Sequence, residues 1–256
     1  MSLAFSKFLL TLIVLGYASI RDVKAREVSD RVWLVSFPAG LTLTAMEVST
    51  EVLNASDVMI SLAIACVLGF TLFYAGFYGG ADSKALLFLA VTVPAYTEDF
   101  NPVLKSLVPI PVLTVFCNSV LVSLVYPATV LALNLIDLTK GKNPLKDVAF
   151  DSVLGKIVLL ATARRIELEK LKRGLSYFPA EKVVVEDGRP VRKPVYFVGV
   201  EADRDGLIKA LEKHELYGDS VLASPTIPMI VFITLGLALL PIGNLMLGLI
   251  SSGLIG

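Results

Sequence analysis

Residues 58–78 run for 21 positions without one charged side chain. A helix needs about 20 mostly apolar residues to cross the hydrocarbon core of a bilayer. Inside lipid every backbone polar group must be satisfied within the protein, so a run of this kind crosses as a helix. Val58–Tyr78 is one of six such candidates, the others being Leu3–Ile20, Val32–Met46, Lys84–Tyr96, Val108–Ile136 and Ile227–Ile250. Val32–Met46 and Lys84–Tyr96 are short. Lys7, near the start of the first run, is expected to snorkel toward the interface. No small-residue cleavage site precedes a polar mature region, so the first run is expected to remain a span and not a signal peptide. Composition agrees: 55% of the chain is hydrophobic, only 18% is charged, and the mean hydropathy is +0.75. Soluble domains carry about 25% charge. A water-soluble single domain and a disordered chain are therefore excluded. Cys66 and Cys117 lie inside apolar runs, which excludes a disulfide scaffold. The expected fold is a polytopic α-helical membrane protein of about six transmembrane helices, with a small α+β cytoplasmic subdomain between spans five and six.

Loop charges orient these spans. The connection 21–31 holds Arg21, Lys24, Arg26 and Arg31, the turn before the fourth span holds Lys84, and the segment 137–219 holds 16 of the 23 basic residues. The connections 47–57 and 97–107 hold Glu47, Glu51, Asp57, Glu98 and Asp99 against Lys105 alone. With six spans the basic connections alternate with the acidic ones. The basic set is expected in the cytoplasm, and both termini outside.

The segment 137–219 is too long and too charged for a linker. Its pattern predicts a helix over Lys156–Arg173, whose apolar first half would lie on the membrane or a neighbouring helix. Strands are expected at Lys182–Glu186 and Pro194–Val200 around an Asp187-Gly188 turn, followed by a helix over Arg204–Tyr217. The domain reading is a membrane domain over 1–136, the cytoplasmic subdomain over 137–219, and the sixth helix within 220–256.

Ionisable groups at membrane depth cost about 2.5–3.5 kcal/mol on insertion scales, so they are the first places to seek chemistry. Asp22 follows the first span, and Asp82 stands in Tyr78-Gly79-Gly80-Ala81-Asp82-Ser83-Lys84. The charge-based topology puts both at cytoplasmic helix ends, where two carboxylates can become neighbours. Such a pair shares one proton, because like charges a few ångströms apart resist double ionisation. One can then activate a water while the other protonates a carbonyl. Gly79-Gly80 would allow unusual backbone angles and close approach of an extended substrate. A plainer reading also fits. Asp22 can pair with Arg21, Lys24 or Arg26, and Asp82 can cap a helix-joining turn. Spacing alone leaves both open.

Gly79-Gly80-Ala81-Asp82-Ser83-Lys84 resembles the Gly-x-Gly-Asp or Gly-x-hydrophobic-Asp motif of the type IV prepilin peptidases and archaeal preflagellin peptidases. In that pattern Gly79 is the motif glycine, Gly80 the variable residue, Ala81 the hydrophobic residue and Asp82 the catalytic aspartate. Lys84 matches a lysine common in the family. Asp22-Val23-Lys24-Ala25-Arg26-Glu27-Val28 resembles the family's first aspartate with its basic sequel, although Ser29-Asp30 stands where many relatives have Pro-Asn. Ala81 at the third motif position, the lack of a Cys-x-x-Cys pair and the late soluble segment favour the preflagellin branch.

The resemblance implies an aspartic-type membrane endopeptidase with Asp22 and Asp82 as catalytic residues. Gly79, Gly80 and Ala81 would meet the substrate backbone. Lys84 would either support Asp82 electrostatically or anchor the fourth span. The implied partners are membrane lipid and preflagellin- or prepilin-like precursors, cut on the cytoplasmic side after a short basic leader. Glu167, Glu169, Glu186 and Asp187 are candidates to attract that leader, although a solvated, salt-bridged face is the simpler and favoured reading of them. No cofactor, metal site or nucleic-acid surface is expected. His214 reads as a surface residue, and the cysteines as small core residues. The alternative is a proton- or cation-coupled transporter using the same aspartates. A third class is a membrane adaptor that docks partners through 137–219.

Overall fold

A computed structural model of the chain describes residues 2–97, 100–104, 109–150, 152–174, 176–186, 189–196, 203–213 and 220–249. Its elements run α1 (Leu3–Ala25), α2 (Asp30–Ser49), α3 (Ala55–Tyr74), α4 (Gly80–Thr92), α5 (Pro111–Ser123), α6 (Val125–Thr139), α7 (Val153–Thr162), β1 (Arg164–Glu167), α8 (Leu168–Arg173), β2 (Tyr177–Pro179), β3 (Glu181–Glu186), β4 (Arg189–Pro194), α9 (Arg204–Lys213), β5 (Ser220–Pro225) and α10 (Met229–Ala238). They form two compact units, Met1–Ser123 with Pro228–Gly256, and Leu124–Ile227.

Among the described residues, four helical stretches are long and apolar enough to cross a membrane. They are Leu3–Ala25, Asp30–Ser49, Ala55–Tyr74 and Pro111–Thr139, the last comprising α5 and α6. Ile13, Leu34, Val35, Met59, Val67 and Phe70 stand exposed on the first three, as lipid-facing side chains do. The expected fourth and sixth spans do not meet that length. α4 has 13 residues, about 20 Å of helix at 1.5 Å per residue. It is instead the centre of the first unit, touched by α1, α2, α3, α5 and α10. Ala85, Leu86 and the run from Phe88 to Thr92 are buried. A helix buried on nearly all sides carries apolar residues all round. The small residues Ser61, Ala65 and Gly69 form the buried face of α3 that receives it. A Cβ on Gly69 would stand 3.3 Å from Ser83 Cβ, and Ser83 Oγ donates to Gly69 O at 3.1 Å. Close helix approach in membranes uses small residues in this way.

The expected continuous sixth helix is broken. α10 has only ten residues, and helix resumes at 245–249. Between them Leu104 N–H donates to Ile242 O at 2.8 Å, and Val103 N–H to Pro241 O at 3.1 Å. Buried Asn118 on α5 spans the break, donating to Gly243 O at 2.9 Å and accepting from Leu245 N–H at 2.9 Å. Gly243 has φ +116, and a Cβ there would lie 2.4 Å from Leu104 O. That conformation and that contact require glycine.

Lys7 does not snorkel. It is buried against Glu47, with both side chains 3% exposed, and donates to Thr44 Oγ1 at 3.2 Å. Thr44 donates to Val91 O at 2.7 Å, and Thr11 to Thr92 Oγ1 at 2.7 Å. This polar cluster ties α1 and α2 to the carboxy-terminal end of α4. Glu47, read from sequence as a loop acid, therefore lies inside the bundle.

In the second unit β1, β5 and β2 form an antiparallel sheet with β5 in the middle, and β3 pairs with β4. The expected hairpin is present, with Glu186 opposite Arg189; its Asp187-Gly188 turn lies outside the described residues. The second strand is Arg189–Pro194 and not Pro194–Val200, of which 197–200 lie outside the described residues. Pro190 and Pro194 are tolerated because, among the described residues, β4 pairs with β3 alone. The single helix expected over Lys156–Arg173 is split into α7, β1 and α8. Asn134 Nδ2 donates to Leu160 O and Ala163 O at 2.8 and 2.7 Å, holding the last carbonyls of α7, and Arg164–Glu167 then pairs with β5. α7 packs on α6. α9 is described to Lys213; His214 and the rest of the expected helix lie outside the described residues, as do Glu98, Asp99, Lys105 and Asp187. Glu169 is paired with Lys172 at 3.2 Å and Arg173 at 3.9 Å, and Glu186 with Lys193.

Candidate active site

α1 does not stop at Ile20 but runs five residues further, so Asp22 stands in its last turn. The helix ends where Arg26 takes φ 54 and its N–H bonds Asp22 O at 2.9 Å. The Arg26 charge acts on the Asp22 carboxylate.

Asp82 is in the first turn of α4, three residues after the N-cap Gly79. Its Oδ2 accepts the Gly79 N–H at 2.7 Å. Neither Gly79 (φ −82) nor Gly80 has a left-handed backbone. The expectation that this pair supplies unusual backbone angles is therefore not met. What the glycines supply is room: both are exposed, and a Cβ on Gly80 would meet nothing within 4 Å. Ala81 follows, half-buried and packed against the core of the first unit.

Asp22 and Asp82 come from separate helices, 60 positions apart in sequence, and the Asp22 charge acts on Asp82. The backbone N–H of Ile230 also acts on both carboxylates. Ile230 is the second residue of α10, whose N-cap is Pro228. The first N–H groups of a helix have no intrahelical partner and favour negative charge. Three elements thus converge: the end of α1, the start of α4 and the start of α10. Sequence reading singled out the two aspartates but not Ile230. The available signal was Pro228, which marks a helix start after which unpaired N–H groups face forward.

Lys84 reaches away from Asp82 to Asp30 Oδ1 on α2 at 2.5 Å, with side-chain exposures of 42% and 74%. It ties the start of α4 to α2. Tyr78, buried just before the motif, lies where the Asp82 charge acts on it. Two open apolar hollows flank this end of α4. One of about 460 Å³ is lined by Trp33, Leu34, Phe37 and Pro38. The other, about 220 Å³, is lined by Ala65, Gly69, Phe70, Phe73 and Gly80.

Comparison with known proteins bears on the same region. Residues 9–128, which contain both Asp22 and Asp82, match the type IV leader peptidase family. The chain is similar to a preflagellin peptidase of Methanococcus voltae, 27% identical over 260 residues, covering 97% of this chain and 98% of that protein. It is also similar to a preflagellin peptidase of Methanococcus maripaludis, 24% identical over 88% of this chain and 89% of that protein. With a preflagellin peptidase of Methanocaldococcus jannaschii it shares 27% identity over 53% of this chain and 60% of that protein.

Proposed function

Because this membrane protein is a relative of the preflagellin peptidases and matches the type IV leader peptidase family over residues 9–128, we infer that it is a leader-cleaving endopeptidase of the aspartic type. Its substrates are preflagellin- or prepilin-like precursors. Asp22 and Asp82 are the catalytic pair. The observation that carries this reading is that Asp22, in the last turn of α1, and Asp82, in the first turn of α4, lie near enough for the Asp22 charge to act on Asp82.

In the resting site the pair holds one proton. The ionised carboxylate takes a proton from water as the water oxygen attacks the scissile carbonyl carbon. The protonated carboxyl gives its proton to the carbonyl oxygen. The carboxyl that took the water proton then passes it to the leaving amine nitrogen, the other carboxylate takes a hydroxyl proton from the tetrahedral intermediate, and the C–N bond breaks. The Ile230 N–H steadies whichever carboxylate carries the charge. Gly79, Gly80 and Ala81 leave an open surface for an extended substrate backbone. The hollow beside Trp33 and Phe37 suits the hydrophobic helix that follows the leader.

The basic connection Arg21–Arg31 and Lys84 support a cytoplasmic location for this end of the helices. The segment 137–219 then lies on the cytoplasmic side. The test is to incubate the purified protein in detergent with a purified precursor and weigh the products by mass spectrometry. The expected result is one cut that releases the leader. An intact precursor, together with proton or cation flux in liposomes, would select the transporter instead.

A further inference from the structure

The second unit contains a cavity of about 530 Å³ that peptide hydrolysis does not use. Its wall is cationic: Lys142, Lys146, Arg164, Arg165 and Arg192 face it, against only Asp137 and Asp147. The frame is cross-linked. Arg164 Nη2 donates to Asp137 Oδ2 at 2.8 Å, joining β1 to the end of α6. Arg165 donates to Pro144 O at 3.1 Å, to Ser220 O at 3.1 Å and to Lys146 O. One guanidinium thus clamps the 142–147 loop onto β1 and β5. The Ala149 N–H bonds Arg192 O at 2.8 Å and ties the same loop to β4. Behind the wall lies the fully buried Glu181, whose Oε2 is 4.0 Å from Arg192 Nη1.

The arginines therefore build the frame, while the two lysines sit on its exposed loop. Among the described residues Lys142 and Lys146 form no ion pair, although both face the cavity. Gathering five cations around one hollow raises a positive potential there, which a bound anion relieves. We propose that this cavity binds a phosphate-bearing anion, either an anionic phospholipid headgroup or a soluble phosphate compound. Arginine forks and lysine ammonium groups are suited to phosphate oxygens. The volume falls within the range of small-ligand sites, about 300–1,000 Å³.

The test uses the purified full-length protein in a zwitterionic detergent, with its melting temperature as readout. It is titrated in separate arms with pyrophosphate, inorganic phosphate, short-chain phosphatidylglycerol and short-chain phosphatidylcholine, with sodium chloride at matched ionic strength as control. A saturable rise is expected with at least one phosphate-bearing anion, and none with sodium chloride or phosphatidylcholine. The Lys142→Ala/Lys146→Ala double variant should weaken apparent affinity roughly tenfold or more. Asp147→Asn should tighten it, by removing a like charge from the wall. Asparagine accepts the φ of 63 at that position. Saturation by phosphatidylglycerol alone assigns the site to a lipid headgroup; saturation by pyrophosphate or phosphate assigns it to a soluble ligand. The proposal is overturned by no saturable shift with any phosphate-bearing probe, by shifts that chloride reproduces, or by equal responses of the parent and the double variant.

Discussion

Replacing Gly236 by alanine should slow peptide cleavage without touching either aspartate. Gly236 is buried where α10 crosses α5. A Cβ there would stand 2.4 Å from Ser119 Oγ, 2.5 Å from Val115 O and 3.0 Å from Ser119 N. Two of these atoms are α5 backbone, so rotating a side chain cannot relieve the overlap. Ordinary contact begins at 3.4 Å, so α10 must retreat by about 1 Å. Overpacking of this kind costs about 1–3 kcal/mol of stability. Ile230 stands six residues earlier on the same rigid helix, about 9 Å along its axis at 1.5 Å per residue. Its N–H would shift against both carboxylates, and a misplacement of about 1 Å can cost roughly 100-fold in rate. Single-turnover cleavage of a purified precursor measures the rate, and the melting temperature in the same detergent measures the stability. A variant with the parent's rate and melting temperature would refute both the packing argument and the positioning role of α10.

Three further outcomes follow from the packing. Lys7→Met strands Glu47 inside the bundle and should cost about 3–5 kcal/mol, whereas Lys7→Met/Glu47→Leu should recover most of the loss; reversible unfolding in mixed micelles measures both. Asn118→Ala removes both hydrogen bonds that span the break after α10, each unsatisfied partner costing about 1–3 kcal/mol; hydrogen exchange should show faster opening of 239–249 than in the parent. Lys84→Ala breaks an exposed pair with Asp30 and should change stability by less than about 1 kcal/mol, as surface ion pairs do. Precursor cleavage should persist in that variant, and its loss would show that Lys84 acts on Asp82 and not on α2.

The apolar runs of α1, α2 and α3 were legible because each is long, nearly uncharged and exposed to lipid. Their ends were not: the polar Arg21 and Asp22 continue α1 because Arg26 can take a left-handed conformation at its cap. α4 was readable as apolar but not as central, since its short length matters only once five neighbours surround it. The break after α10 rests on Asn118 and on residues 103–104, more than a hundred positions away in sequence, which local pattern cannot reveal. The buried partner of Lys7 was hidden for the same reason. In the second unit β1 and β5 were missed because their pairing joins Arg164 to Ala223 across a long intervening segment. At the site, the aspartates stood out as charges beside apolar runs. Ile230 contributes only a backbone N–H, which every residue except proline possesses.

The account turns on whether two carboxylates act as one unit, and cleavage by the Asp22→Asn and Asp82→Asn variants tests that most directly. Each substitution keeps the shape of the side chain and removes its ability to exchange a proton. With parent-like melting temperatures, both variants should leave a purified precursor intact, at rates at least roughly 100-fold below the parent. Release of the leader by either variant at close to the parent rate would contradict the paired-aspartate account.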